Sequence, residues 1–232
     1  MGDSLEIEGK AVVRVLYLDA SGNGIRCCEN TRAFSSVISF KQPADNAIAY
    51  TRTRVEYINC RATSPRRLDI HGAFSVCAKV VRQSENEFVC GIEGDDIQQK
   101  TRSVKASKAA GFSQQQFTLS ETLEIGDGKP PAETLIRTGL TASVQDFKVV
   151  SDKIILKGEA SLRILYSSGI DTPELEAMEY LIPYSQMIDC GGISEDCLCN
   201  VAVDVLNFSV EIRSDSSGEN TLLSLDARML AS

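Results

Sequence analysis

The sequence reads as an all-β protein of two tandem antiparallel sandwich or open-barrel domains with related repeats, on three observations. First, Gly9-Lys-Ala-Val-Val-Arg-Val-Leu-Tyr17 and Gly158-Glu-Ala-Ser-Leu-Arg-Ile-Leu-Tyr166 agree at five of nine positions. Second, the agreement follows a pleat. Alternate positions read Ala11, Val13, Val15, Tyr17 in one segment and Ala160, Leu162, Ile164, Tyr166 in the other. A strand sends alternate side chains to opposite faces, so each segment has one face for a core, with its tyrosine on that face. Third, no stretch sustains helical periodicity over about three turns, so long helices are not expected.

Each copy then runs strand, turn, strand, loop, long strand, starting near residues 5 and 150. After the first strand come the turn-like Ser21-Gly-Asn-Gly24, the strand Phe34-Ser-Ser-Val-Ile-Ser-Phe40 and a long alternating strand from Ile48 to Cys60. In the second copy the counterparts are Ser167-Ser-Gly-Ile-Asp-Thr-Pro173, Tyr184-Ser-Gln-Met-Ile-Asp-Cys190 and Cys197 to Ile212. Between them, Ser64-Pro-Arg-Arg-Leu-Asp-Ile-His-Gly72 echoes Ser151-Asp-Lys-Ile-Ile-Leu-Lys-Gly158 with one residue inserted. It leads into a third segment of the same phase, through Phe74, Val76, Ala78 and Val80. Ile97 to Ala106 and Phe117 to Ile125 read as further strands around Ala109-Ala-Gly111. Gly126-Asp-Gly-Lys-Pro-Pro131 breaks the pattern, and Ala132-Glu-Thr-Leu-Ile136 reads as a single helical turn. The domain boundary is placed there, giving 1–127 and 128–232. A lone hairpin is marginal in water, so each copy must bury its apolar face on another sheet.

Composition narrows the function. At 232 residues the chain can bury a core without staples. A formal charge of -8 opposes nucleic-acid binding and docking on an anionic membrane. No run approaches the roughly 20 apolar residues of a spanning helix. Met1-Gly-Asp-Ser runs into a strand with no basic region or apolar run of a signal peptide. The eight cysteines are therefore expected as free thiols, mostly small buried hydrophobes. Cys77 falls on the face opposite Val76 and Ala78, so it is either exposed or covered by a second layer.

Several groupings were weighed for chemistry. Asp69, His71 and Ser75 share a strand face, but alternate residues there are about 6.8 Å apart, whereas a triad needs direct hydrogen bonds. Cys197 and Cys199 read as same-face strand residues with Cys190 upstream, without the paired spacing of a zinc site; exposed thiols could instead cross-link chains in an assembly. Gly126-Asp-Gly-Lys129 lacks the phosphate-loop spacing and reads as a turn. Ser64-Pro-Arg-Arg67 reads as a solvated bend, and Glu93-Gly-Asp-Asp96 lacks the ligand spacing of a calcium loop. No catalytic, cofactor-binding or metal-ligating residue is assigned, and no cofactor is expected.

Gly128-Lys-Pro-Pro131, Val149-Val-Ser-Asp-Lys-Ile-Ile-Leu-Lys-Gly-Glu159, Ile164-Leu-Tyr166 and Ile182-Pro-Tyr-Ser-Gln-Met-Ile-Asp189 resemble the SPOCS domain of clostridial spore-coat morphogenetic proteins. The resemblance is close over 128–212 and looser over 5–62, and Ser64-Pro-Arg-Arg67 is similar to the linking region of tandem members. Family members carry a C-terminal LysM domain that engages a coat-basement ATPase. No such segment is seen up to Ser232, and the first copy lacks a counterpart of Gly128–Lys148, both pointing to an excised fragment. The resemblance implies a non-enzymatic scaffold module in the mother-cell cytoplasm, at the forespore surface. Its implied partners are other spore-coat or coat-basement proteins, or a second copy of itself, with no nucleic acid and no membrane insertion. The alternative is an envelope-associated module binding glycan or peptidoglycan, which the absence of Trp disfavours.

Overall fold

In the computed structural model the described residues are 2–18, 22, 24–41, 44, 47–82, 87–94, 96–103, 105, 107–126, 128–169 and 174–232. They form ten strands and no helix. In order these are β1 (Ser4–Leu18), β2 (Ile25–Ser39), β3 (Ile48–Ser64), β4 (Arg67–Val81), β5 (Gln115–Glu124), β6 (Thr134–Val150), β7 (Lys153–Ser168), β8 (Glu174–Asp189), β9 (Val203–Arg213) and β10 (Leu222–Ala231). The chain divides into two compact units, Met1–Ala11 with Thr31–Ser107, and Val12–Asn30 with Lys108–Ser232. The β1–β2 hairpin contributes to both.

The second unit contains two three-stranded antiparallel sheets, ordered β5-β10-β9 and β6-β7-β8. The central strands β7 and β10 alternate strictly. Leu156, Ala160, Leu162, Ile164 and Tyr166 point inward from β7, and Leu223, Leu225, Ala227, Met229 and Ala231 from β10. They meet in one core cluster, which makes the unit a sandwich. Each fully buried leucine there contributes about 2 kcal/mol by leaving water. β6 also approaches β9, and β8 approaches β5, where Tyr180 Oη donates to the Glu124 carbonyl at 2.9 Å. Burial pushes that hydroxyl up to about 12, so it stays protonated as a donor. Register shifts leave Ile136 and Gln145 of β6, and Leu206 of β9, as unpaired bulge residues, where a strand bends and twists more strongly.

The repeat read from the sequence has a structural counterpart. Arg14 Nε pairs with Glu29 on β2 at 2.7 Å, and Arg163 Nε pairs with Glu179 on β8 at 3.0 Å. Five residues beyond each glutamate an aromatic ring, Phe34 or Tyr184, lies over the repeat glycine, Gly9 or Gly158. Gly158 and Tyr184 are direct partners across β7 and β8. The intervening segment echoes too. β3 and β4 join through the two-residue turn Pro65-Arg66, and β6 and β7 through Ser151-Asp152, with Gly72 and Gly158 each five residues beyond the first paired residue of the return strand. Measured from those turns, no inserted residue separates the two segments.

Five expectations are corrected. Residues 97–103, within the expected strand Ile97–Ala106, carry no strand; 104 and 106 lie outside the described residues. Ala132–Ile136 is not a helical turn but the approach to β6, because Ala132 N donates to Asn220 O at 2.9 Å and Glu133 N to Ser167 O at 2.9 Å. The long strand after Cys190 begins only at Val203, as the 190–202 stretch instead makes turns against Asp152. Tyr166 is fully buried, but its counterpart Tyr17 is 45% exposed. The boundary placed at 128 also falls within the second unit, since β5 supplies an outer strand beside β10. The turn at Ser21-Gly-Asn-Gly24 falls mostly, and residues 170–173 wholly, outside the described residues.

The β9–β10 connection is organised by Asp215. Its carboxylate accepts from Ser217 Oγ at 2.7 Å, Thr221 Oγ1 at 2.7 Å, Ser217 N at 2.8 Å and Glu219 N at 3.1 Å. The Ser217 hydroxyl foremost, then Thr221 and the two backbone donors, hold its pKa well below the ordinary carboxylate value of 3.8. A depressed folded-state pKa stabilises above the unfolded value and fails as pH falls through the folded one. Unfolding midpoints should therefore drop as pH falls below about 4. Asp215→Asn should remove part of that acid dependence, as read by denaturation at a series of pH values.

Candidate interaction surfaces

The strands of the first copy and its linking segment form two-stranded sheets, β1-β2, which the two units share, and β3-β4 of the first unit. Every strand in them has one edge without a strand partner among the described residues. Phe34 and Phe74 join the hairpins, ring centroids 4.8 Å apart at 57°. Beyond that contact the apolar faces stay largely uncovered. Of the hydrophobic residues described in 1–107, only Leu5 and Ala44 are buried. Ala11, Val13, Val15, Val76, Ala78 and Val80, expected as core, are half-buried, and Phe74 is exposed. The expectation that each copy seals its apolar face thus holds for the second unit and not for the first. A two-stranded ribbon offers too narrow a layer to cover another.

Strand β3 is the most open element. Apart from Ile48 and Ala49 it is exposed throughout, and Val55 (70%), Tyr57 (53%) and Ile58 (54%) stand clear of any layer. In the second unit, β8 is an outer strand whose outward row includes Leu175, Leu181, Pro183 and Met187, all exposed. Pro183 lacks an N–H and so suits a strand paired on one side only, with β7. Exposed strand edges with apolar residues are templates for pairing with another chain, and natural folds usually blunt them. Here the second unit draws its outer strands toward one another.

Residues considered for chemistry are engaged elsewhere. Asp69 Oδ1 accepts from Arg67 Nε at 3.3 Å, and Ser75 Oγ donates to Glu56 Oε1 at 2.7 Å, while His71 sits opposite Asn59. The three do not form a relay. Arg67 and its neighbours make the tight β3–β4 turn, as expected of a solvated bend. Gly126–Lys129 is a turn, closed by Lys129 N on Gly126 O at 3.2 Å, with Gly128 at φ 84° and Lys129 Nζ paired with Glu176 at 2.5 Å. Asp127, and Asp95 of the Glu93–Asp96 group, lie outside the described residues. Cys27, Cys28, Cys60, Cys77 and Cys90 are exposed; Cys190 is buried, and Cys197 and Cys199 are half-buried.

One arrangement escaped the sequence reading. Tyr184 on β8 reaches across Gly158 on β7 and donates to the Ser143 carbonyl on β6 at 2.9 Å. One side chain thus ties three strands together, and only a glycine lets it pass. The glycine and the aromatic were visible in the sequence, but not the hydrogen bond that Tyr184 makes to Ser143.

A family model described as SipL, SPOCS domain matches residues 131–213. No curated protein and no solved structure matches the chain. The matched stretch runs from the approach to β6 through the end of β9, and takes in the Gly158–Tyr184 crossing and the Arg163–Glu179 pair. Residues 131–213 are thus similar to the SPOCS domain of the SipL family.

Proposed function

We propose that this chain is a non-enzymatic interaction module of a spore-coat morphogenetic protein, scaffolding coat assembly in the mother cell at the forespore surface. The observation that carries the reading is the contrast between the units. A sealed SPOCS sandwich sits in the same chain as hairpins with open edges and bare apolar faces. Such edges bind by strand addition, in which main-chain hydrogen bonds supply affinity and alternate side chains supply selectivity. Two related units in one chain let weak contacts add.

Sedimentation of the purified chain across a concentration series, alone and with a purified coat-basement protein, tests this reading. Concentration-dependent association in either arm is expected; a monomer in both would count against it. Val55→Asp combined with Ile58→Asp should weaken the association at least tenfold, equivalent to about 1.4 kcal/mol, with the far-ultraviolet circular dichroism unchanged.

A further inference from the structure

Three of the eight thiols converge. Cys190 is buried with Ile154 and Ile193, and Cys197 and Cys199 pack against that cluster beside Val149 and Val201. The stretch that brings them together contains no strand, yet it is firmly placed. Cys190 N donates to Asp152 O at 2.9 Å, Gly192 N to Asp152 Oδ1 at 2.7 Å, and Asp152 N to Ile193 O at 3.2 Å. Asp152 accepts a left-handed backbone, φ 61°, to make the β6–β7 turn that receives these bonds.

The environments of the three sulfurs differ. Cys190 is closed off by the 110–111 backbone: a Cβ added to Gly111 would lie 3.1 Å from its Sγ. A cysteine of another chain cannot approach it there, whereas its own loop already does. Cys197 is held in a turn, its N donating to Ser194 O at 3.0 Å and its Sγ accepting from Ser194 N at 3.4 Å. Cys199 makes only a long thiol contact to the Cys197 carbonyl, 3.8 Å. Among the described residues no group of three such ligands is disposed to hold a metal ion, which favours sulfur–sulfur chemistry over coordination.

We propose that Cys190 and Cys199 form an intrachain disulfide when the protein meets a hydroperoxide, making the 190–199 loop a redox-modified site. The half-buried Cys199 thiolate attacks the peroxide: an S–O bond forms as the O–O bond breaks, giving a sulfenic acid and releasing water or an alcohol. The Cys190 sulfur then attacks the sulfenic sulfur, forming the S–S bond and releasing water. Two thiols together lose two hydrogens and two electrons, and the hydroperoxide takes them up. Burial, with Cys199, Asp152 and Cys197 nearby, pushes the Cys190 thiol up, which suits it to the second step rather than the first.

The test is to treat the folded chain with a stoichiometric amount of hydrogen peroxide, block remaining thiols with iodoacetamide, and digest with a glutamate-specific protease. Cleavage after Glu195 separates the two cysteines, so a bridged protein yields two peptides that travel together until reduced. The expected result is that pair, with Cys197 alkylated and the chain still monomeric under denaturing, non-reducing conditions. The oxidised protein should also melt about 5 °C higher, because a short loop has been closed. In Cys199→Ser, Cys190 should remain alkylatable at the same dose and the melting shift should vanish. A Cys190–Cys197 bridge, alkylated Cys190 in the treated wild-type protein, sulfinic acid at Cys199, or linkage only between chains would each overturn the assignment.

Discussion

Replacing Gly158 with alanine should destabilise the second unit by about 3 kcal/mol, the upper part of the range for overpacking a core. The added Cβ would lie 2.4 Å from the Ser143 carbonyl oxygen and 2.4 Å from Cζ and Oη of Tyr184, far inside van der Waals contact. The carbonyl cannot retreat, since β6 and β7 are paired along almost their whole length. Tyr184 could swing aside, but it would then give up its bond to Ser143 and leave a part-buried acceptor bare. The same substitution at Gly9 is the control. There the nearest atoms to the Cβ all belong to the far end of the Phe34 ring, at 2.5 Å and beyond, and that side chain is only half-buried. Gly9→Ala should cost under about 1 kcal/mol. Amide hydrogen exchange on β7 and on β1 reads each unit separately, as one global unfolding curve would not. Similar losses at both glycines would mean that the repeat is equally packed in both units.

The second large effect concerns the repeat tyrosines. Tyr166→Ala should cost about 4 kcal/mol, typical of deleting a large buried aromatic. The ring is fully buried, and its hydroxyl donates to the Pro130 carbonyl at 3.0 Å, tying the Pro-rich segment before β6 to the core. Tyr17→Ala, at the matching position and 45% exposed, should stay within about 0.5 kcal/mol. Urea denaturation followed by exchange at the β7 amides gives the first value, and at the β1 amides the second. A loss above 2 kcal/mol on replacing Tyr17 would show that its face is covered in solution, for instance by a second copy.

Much of this architecture was legible before any coordinates. The period-two phase from Gly158 to Tyr166 describes the inner face of β7, and Phe117–Ile125 anticipates β5 to within two residues at its start and one at its end. The start of the second copy, read near residue 150, falls at the two-residue turn Ser151-Asp152. The misreadings have a common origin. Cys197–Cys199 alternates like a strand, yet Cys190 and Ile193 just before it bond to Asp152 and Cys197 N closes a turn on Ser194 O, so no strand forms. Ala132–Ile136 has helix-compatible residues, yet Asn220 and Ser167 draw it into extended pairing. In each case a partner distant in sequence overrode the local preference. The candidate surface could not be placed from sequence, because which strand edges stay uncovered depends on how many strands join each sheet.

Side-chain alternation and the spacing of glycines and turns were enough to determine that the chain is β throughout and internally repeated, because pleat and turn geometry are local properties. Which copy closes its core was decided only by tertiary structure. Burial depends on a third strand and an opposing sheet, supplied to β7 by β6, β8 and β10 and not to β1, so related segments end up sealed in one copy and half-open in the other.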